Sequence, residues 1–121
     1  MTGNEIVTKV TDLLGYRDAS GDENIDSVTR KNMLTYINTV FFDIFSIESS
    51  GEFSPLKNLN GDITGLTARG VDALIYGVCM WAAFNAGDGD RHAYFTHLYN
   101  SKRAGLTGSS RIVDTSPSPE E

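Results

Sequence analysis

The feature that most constrains this chain is its most apolar stretch, residues 68–86. There Val71, Leu74, Ile75, Val78, Trp81 and Ala82 recur at helical spacing, while Ala73, Gly77 and Ala83 keep part of the surface small. Such a pattern predicts a helix buried on more than one side, with the small residues admitting a close neighbour. Trp81 belongs to the core face on this reading, and its truncation to alanine is expected to cost about 3 to 5 kcal/mol.

Other segments carry the same period. Thr2-x-x-Glu5 reads as a capping box, followed by Ile6, Val10, Leu13 and Leu14 at helical spacing and by Gly15 as a left-handed stop. Asp26 or Ser27 can cap a second helix in which Met33, Ile37, Val40, Phe41, Ile44 and Phe45 form one stripe. This helix should end near Ile47, before Ser49, Ser50, Gly51 and Pro55. Asp88 can cap a fourth helix holding Tyr94, Phe95, Leu98 and Tyr99 and ending near Gly105, so helices three and four should form a hairpin. Residues 16–24 read as a loop. Between residues 51 and 67, Phe53, Leu56, Leu59, Ile63 and Leu66 alternate with polar residues around Asn60-Gly61, which suggests a short hairpin or an ordered loop over the core.

The expected fold is therefore all-α, a small bundle of about four helices. A chain of 121 residues fits one core, placed here in residues 1–105, with residues 106–121 as a flexible C-terminal tail of low apolar density. The net charge of -6 disfavours binding to phosphate backbones and anionic membranes. No segment approaches the apolar length of a membrane span, and the start of the chain lacks a signal pattern. The single cysteine, Cys79, allows no intrachain disulfide, and synthesis in a cytoplasm is the expectation.

Candidate chemistry is sparse. Asp18, Asp22, Glu23 and Asp26 lack the spacing of a calcium loop, and Asp88 and Asp90 are accounted for by helix capping. His92 and His97 are five apart, with nothing to complete a zinc set. Cys79 reads as a buried small hydrophobe, and Asp43 and Asp72 as isolated helix residues without partners. Trp81, Phe84, Tyr94 and Tyr99 read as packed core or subunit interface in preference to a ligand pocket. No catalytic residue, metal site or cofactor is expected, and the chain is not expected to be an enzyme.

Residues 73–104 contain Tyr76-Gly77 within an apolar helix, the break Gly87-Asp88-Gly89-Asp90, and then Phe95, Leu98-Tyr99 and Lys102-Arg103. Tyr36-Ile37-Asn38 and Phe41-Phe42-Asp43-Ile44 precede them. This arrangement resembles the head–tail connector (adaptor, head-completion) proteins of long-tailed bacteriophages and prophages.

The resemblance implies a structural virion protein at the head–tail interface, made in the host bacterial cytoplasm. Such subunits form a ring, typically dodecameric, that docks on the portal protein, meets a further connector or tail-completion protein, and extends the channel through which DNA passes without specific binding. No catalytic residue travels with the motif. Within the tail, Leu106, Arg111, Ile112 and Val113 are the candidate partner-binding residues, since Arg111-Ile112-Val113 is the only apolar and basic island there. The rival expectation is a small helical regulatory or interaction module, prophage-encoded and acting as a monomer or dimer.

Overall fold

The computed structural model describes residues 1–16, 18–22, 25 and 27–106. Four helices follow one another: α1 (Gly3–Leu14), α2 (Ser27–Glu48), α3 (Ala68–Asn85) and α4 (Gly89–Ala104). No strand occurs among the described residues; Thr2 and Asp62 form a lone antiparallel bridge.

Local signals account for most of the boundaries. The capping box closes α1: the Thr2 hydroxyl accepts from the Glu5 amide at 3.2 Å and the Glu5 carboxylate accepts from the Thr2 amide at 2.8 Å. Gly15 ends α1 at φ 74°, in the left-handed region that glycine enters without strain. Thr67 caps α3 by accepting from the Gly70 amide at 3.1 Å, and Asp88 caps α4 by accepting from the Arg91 amide at 3.1 Å. Asp26, the alternative cap for α2, lies outside the described residues.

The core gathers one side of every helix. Ile6, Val7, Val10 and Leu14 of α1 meet Met33, Ile37, Val40, Phe41 and Ile44 of α2, Ala73, Leu74, Val78, Cys79 and Ala83 of α3, and Phe95 and Tyr99 of α4. Helix α3 lies at the centre and touches the other three, as its breadth of apolar surface requires. It runs antiparallel to α2, with Gly70 beside Glu48 and Gly77 beside Val40, and antiparallel to α4, with Asp72 beside Lys102 and Gly77 beside Tyr99. A β-carbon at Gly77 would sit 2.6 Å from Val40 Cγ1 and 2.8 Å from Tyr99 Cε1, so its absence lets both neighbours close on α3.

Residues 49–67 form an ordered loop in place of a hairpin. Its carbonyls take up free amides at the start of α1: Gly3 donates to Gly61 at 3.0 Å and Asn4 to Leu59 at 2.8 Å. Asn38 of α2 grips the loop from the other side, donating to the Leu56 carbonyl at 2.9 Å and accepting from the Leu56 amide at 2.8 Å. Leu56 and Ile63 are buried, and the Phe53 ring stands edge-on to Phe41, Phe42 and Phe45. These contacts satisfy the loop's backbone without a second strand, which is why the alternation did not become a ladder.

Two expectations are corrected. Trp81 is 36% exposed near the open end of α3 and packs edge-on against Phe84, so it is not a core residue. Leu106 is 2% exposed and belongs to the core cluster, so the body of the protein extends through it and it is not a free docking residue of the tail. Arg111, Ile112 and Val113 lie outside the described residues.

Candidate functional site

Asp43 lies one turn beyond Val40 on α2, which directs it towards the C-terminal half of α4. There its Oδ2 accepts a very short hydrogen bond from the Tyr99 hydroxyl and one of 2.6 Å from Arg103 Nε, while Oδ1 accepts from Arg103 Nη2 at 2.8 Å. The two-pronged Arg103 contact is the chief reason that the Asp43 carboxyl is held below its ordinary range, with the Tyr99 hydrogen bond acting in the same direction against partial burial. The Tyr99 phenol is pushed above its ordinary value, first by burial and then by the adjoining carboxylate. Asp72 has a partner as well, Lys102 Nζ at 3.4 Å. Neither aspartate is isolated, contrary to the sequence expectation; the partners of Asp43 are 56 and 60 residues away and leave no local signature.

These groups fasten helices together and do not resemble a reaction centre. Asp43 is already committed to a guanidinium and a phenol, and it lines neither of the two open grooves of about 380 Å³. Cys79 sits among apolar side chains, and burial pushes its thiol up to about 12, which leaves it a poor nucleophile near neutrality. Asp18 spends its Oδ1 on the amides of Ser20 and Asp22, at 2.9 and 3.0 Å, in a local turn. Among the described residues no group of three or more His, Cys, Asp or Glu is placed to hold a metal ion. Glu23 and Asp26 lie outside the described residues. His92 Nδ1 lies 3.1 Å from the Met80 carbonyl, to which its Nδ1–H tautomer donates, and His97 is exposed. No helix of the described residues is long and apolar enough to cross a membrane.

The remaining candidate is a surface. Phe84 and Tyr94 of the α3–α4 hairpin are 59% and 60% exposed, and Trp81, three residues before Phe84, is exposed as well. Their rings are mounted on neighbours: Phe84 between Trp81 and His92, and Tyr94 edge-on to Phe95, which stacks on Tyr76. At the same end of α3, Ala82, Asn85 and Ala86 line an open groove of about 380 Å³ with Tyr16, Ile25, Thr29 and Tyr36. Large apolar side chains fixed in place at a surface can bury area on a partner with little loss of rotamer freedom. Of the aromatics grouped from the sequence, Tyr99 is core, and Trp81, Phe84 and Tyr94 are surface.

Compared with protein-family models, with curated proteins and with solved structures, the chain matches none.

Proposed function

We propose that this protein is a structural subunit of the phage head–tail interface, a ring-forming adaptor between portal and tail that extends the DNA channel. The observation that carries the reading is the exposed aromatic pair Trp81 and Phe84, in edge-on contact at the end of α3, on the same hairpin as exposed Tyr94. It occupies the segment through which the sequence resembles connector proteins. A free-standing monomer gains nothing from exposing such rings, whereas aromatic residues are enriched where subunits meet. The interior of the same hairpin is rigid, closed at Gly77 and tied by Tyr99 and Arg103 to Asp43, so each copy presents the surface in one geometry.

The charge balance suits the role. A subunit of net charge -6 around a lumen repels phosphate and lets DNA slide where a basic surface would hold it. In this reading assembly is the whole mechanism, and the chain has no turnover, cofactor or metal requirement.

Light scattering of the chain alone and mixed with portal rings of a long-tailed phage tests the proposal. The expected result is a complex heavier than the portal by a ring of subunits, and its loss when Trp81 and Phe84 are both replaced by serine. Separate elution of portal and chain would overturn the reading and favour the small interaction module.

A further inference from the structure

Asn60-Gly61 is the only asparagine–glycine pair in the chain. In such a pair the glycine nitrogen reaches the preceding side chain without hindrance from a β-carbon, which makes the asparagine labile. Packing leaves the position little freedom to change. A β-carbon at Gly61 would sit 3.1 Å from Leu56 Cδ2, and Leu56 is buried. The fold therefore keeps a reactive pair, and it holds both reacting groups still.

The attacking nitrogen is engaged, since the Gly61 amide donates to the Asn58 carbonyl at 3.2 Å. The electrophile is engaged as well. Asn60 Oδ1 accepts from Asn4 Nδ2 at 2.8 Å, and Asn4 Oδ1 accepts from Arg30 Nη2 at 3.1 Å, so an exposed loop side chain is tied through α1 to α2. Cyclisation requires the Asn60 carboxamide to swing back over its own backbone and the Gly61 amide to give up its proton, and each change breaks one of these bonds. The same loop seats α1: the carbonyls on either side of residue 60, those of Leu59 and Gly61, accept from the amides of Asn4 and Gly3.

We propose that Asn60 is a self-modifying site gated by the seating of α1 on this loop. When α1 lifts away, the Gly61 nitrogen attacks Asn60 Cγ. The N–Cγ bond forms, the bond from Cγ to the side-chain nitrogen breaks, and ammonia leaves with the proton that Gly61 gave up. Water then opens the cyclic imide at one or other carbonyl, yielding aspartate or isoaspartate. The aspartate product places its charge beside the start of α1, where a helix favours it, and still accepts from Asn4. The isoaspartate product adds a methylene to the main chain between the two seating carbonyls, which no longer meet consecutive amides, so the release of α1 becomes permanent. This device belongs to the single chain and stands apart from the ring reading.

The full chain held in mildly alkaline buffer tests it, with peptide mass mapping to locate the change at residue 60 and chromatography to separate the two products. Asn60 is expected to react at least about tenfold slower in the native chain than in guanidinium chloride, because the open fraction sets the rate. Gly3→Ala, whose β-carbon would press on Leu59 at 3.0 to 3.2 Å, and Asn4→Ala, which frees the Asn60 carboxamide, should each raise the native rate while the helical circular dichroism spectrum is kept. The isoaspartate form should unfold at lower urea than an Asn60→Asp chain, which should match the native one. Equal native and denatured rates would overturn the protection, unchanged rates in both variants would overturn the gate, and an isoaspartate form as stable as Asn60→Asp would overturn the permanent release.

Discussion

The two ends of this bundle are built differently. Where α2 and α4 finish and α3 begins, carboxylates close the structure: Glu48 accepts from the Thr67 amide and hydroxyl at 2.9 and 2.6 Å, Asp43 holds Tyr99 and Arg103, and Asp72 meets Lys102. Where α3 turns into α4, the carboxylate tie shown is a local one, Asp88 to Arg91 at 2.8 Å, three residues apart. An open groove lies there beside exposed Trp81 and Phe84. A hydrogen bond to a charged group is worth about 1.5 to 3 kcal/mol and fixes direction, whereas exposed rings contribute little until something covers them. One end therefore ties distant parts of the chain together, and the other leaves large apolar side chains uncovered.

The largest effect should come from wedging the closed half apart. Gly77→Val places branched methyl groups where a single β-carbon already meets Val40 and Tyr99 at under 3 Å. Overpacking of this kind costs about 3 kcal/mol at the upper end of its usual range. Urea denaturation followed by helical circular dichroism measures it, and a loss below about 1 kcal/mol would mean that the seam opens freely.

Asp43→Ala comes next. It removes the acceptor from a buried phenol and from a guanidinium that is partly hydrated, for an expected loss of about 2 kcal/mol. Asp43→Asn, which keeps an acceptor for Tyr99, should cost less. The same cluster sets the pH dependence. The Asp43 carboxyl is held low in the folded chain, so its contribution is present above the ordinary carboxylate range and is lost as pH falls through its folded value. The Tyr99 phenol is raised, so its contribution is complete below about pH 10 and fades as pH climbs from there towards its folded value. Both slopes in a stability-against-pH curve should flatten in Asp43→Asn. Unchanged slopes would remove the cluster from the closed end.

Trp81→Ala belongs to the open end and should cost about 1 kcal/mol, well short of the truncation penalty of a buried aromatic. Loss of about 3 kcal/mol or more in urea titrations would return Trp81 to the core and erase the contrast between the ends.

The contrast also explains what could be read from the chain alone. Thr2 with Glu5, Gly15 and Asp88 act on backbone groups within four residues, so their pattern is local and each stands where the sequence placed it. The apolar stripe of α2 is likewise periodic, and Met33, Ile37, Val40, Phe41 and Ile44 are all buried. Trp81 shares the period of α3 but lies near its end, and helical period says which way a side chain points, not whether a neighbour reaches it. Asp43 fails for the opposite reason, since its bonds join residues 56 and 60 positions apart and exist only once α4 has docked. Residues 51–67 left a hairpin and an ordered loop both open, and the loop is the one found, because the carbonyls that choose between them bond to α1 amides more than fifty residues away in sequence.

The smallest expected effect on stability is the one that tests the open end most directly. Phe84 is 59% exposed, and its ring meets those of Trp81 and His92. Phe84→Ser should therefore change folding stability by no more than about 0.5 kcal/mol, the range of surface substitutions away from caps and buried networks. If the hairpin aromatics are a docking surface, the same change removes a large anchor from the centre of an interface and should weaken portal association at least about tenfold, since truncated anchors cost over 1 kcal/mol in binding. The two measurements must be made on one preparation, because only a loss of association at constant stability assigns Phe84 to the surface function. A parallel loss of both would mean that the ring supports the α3–α4 turn, and the open end would then be a second structural end.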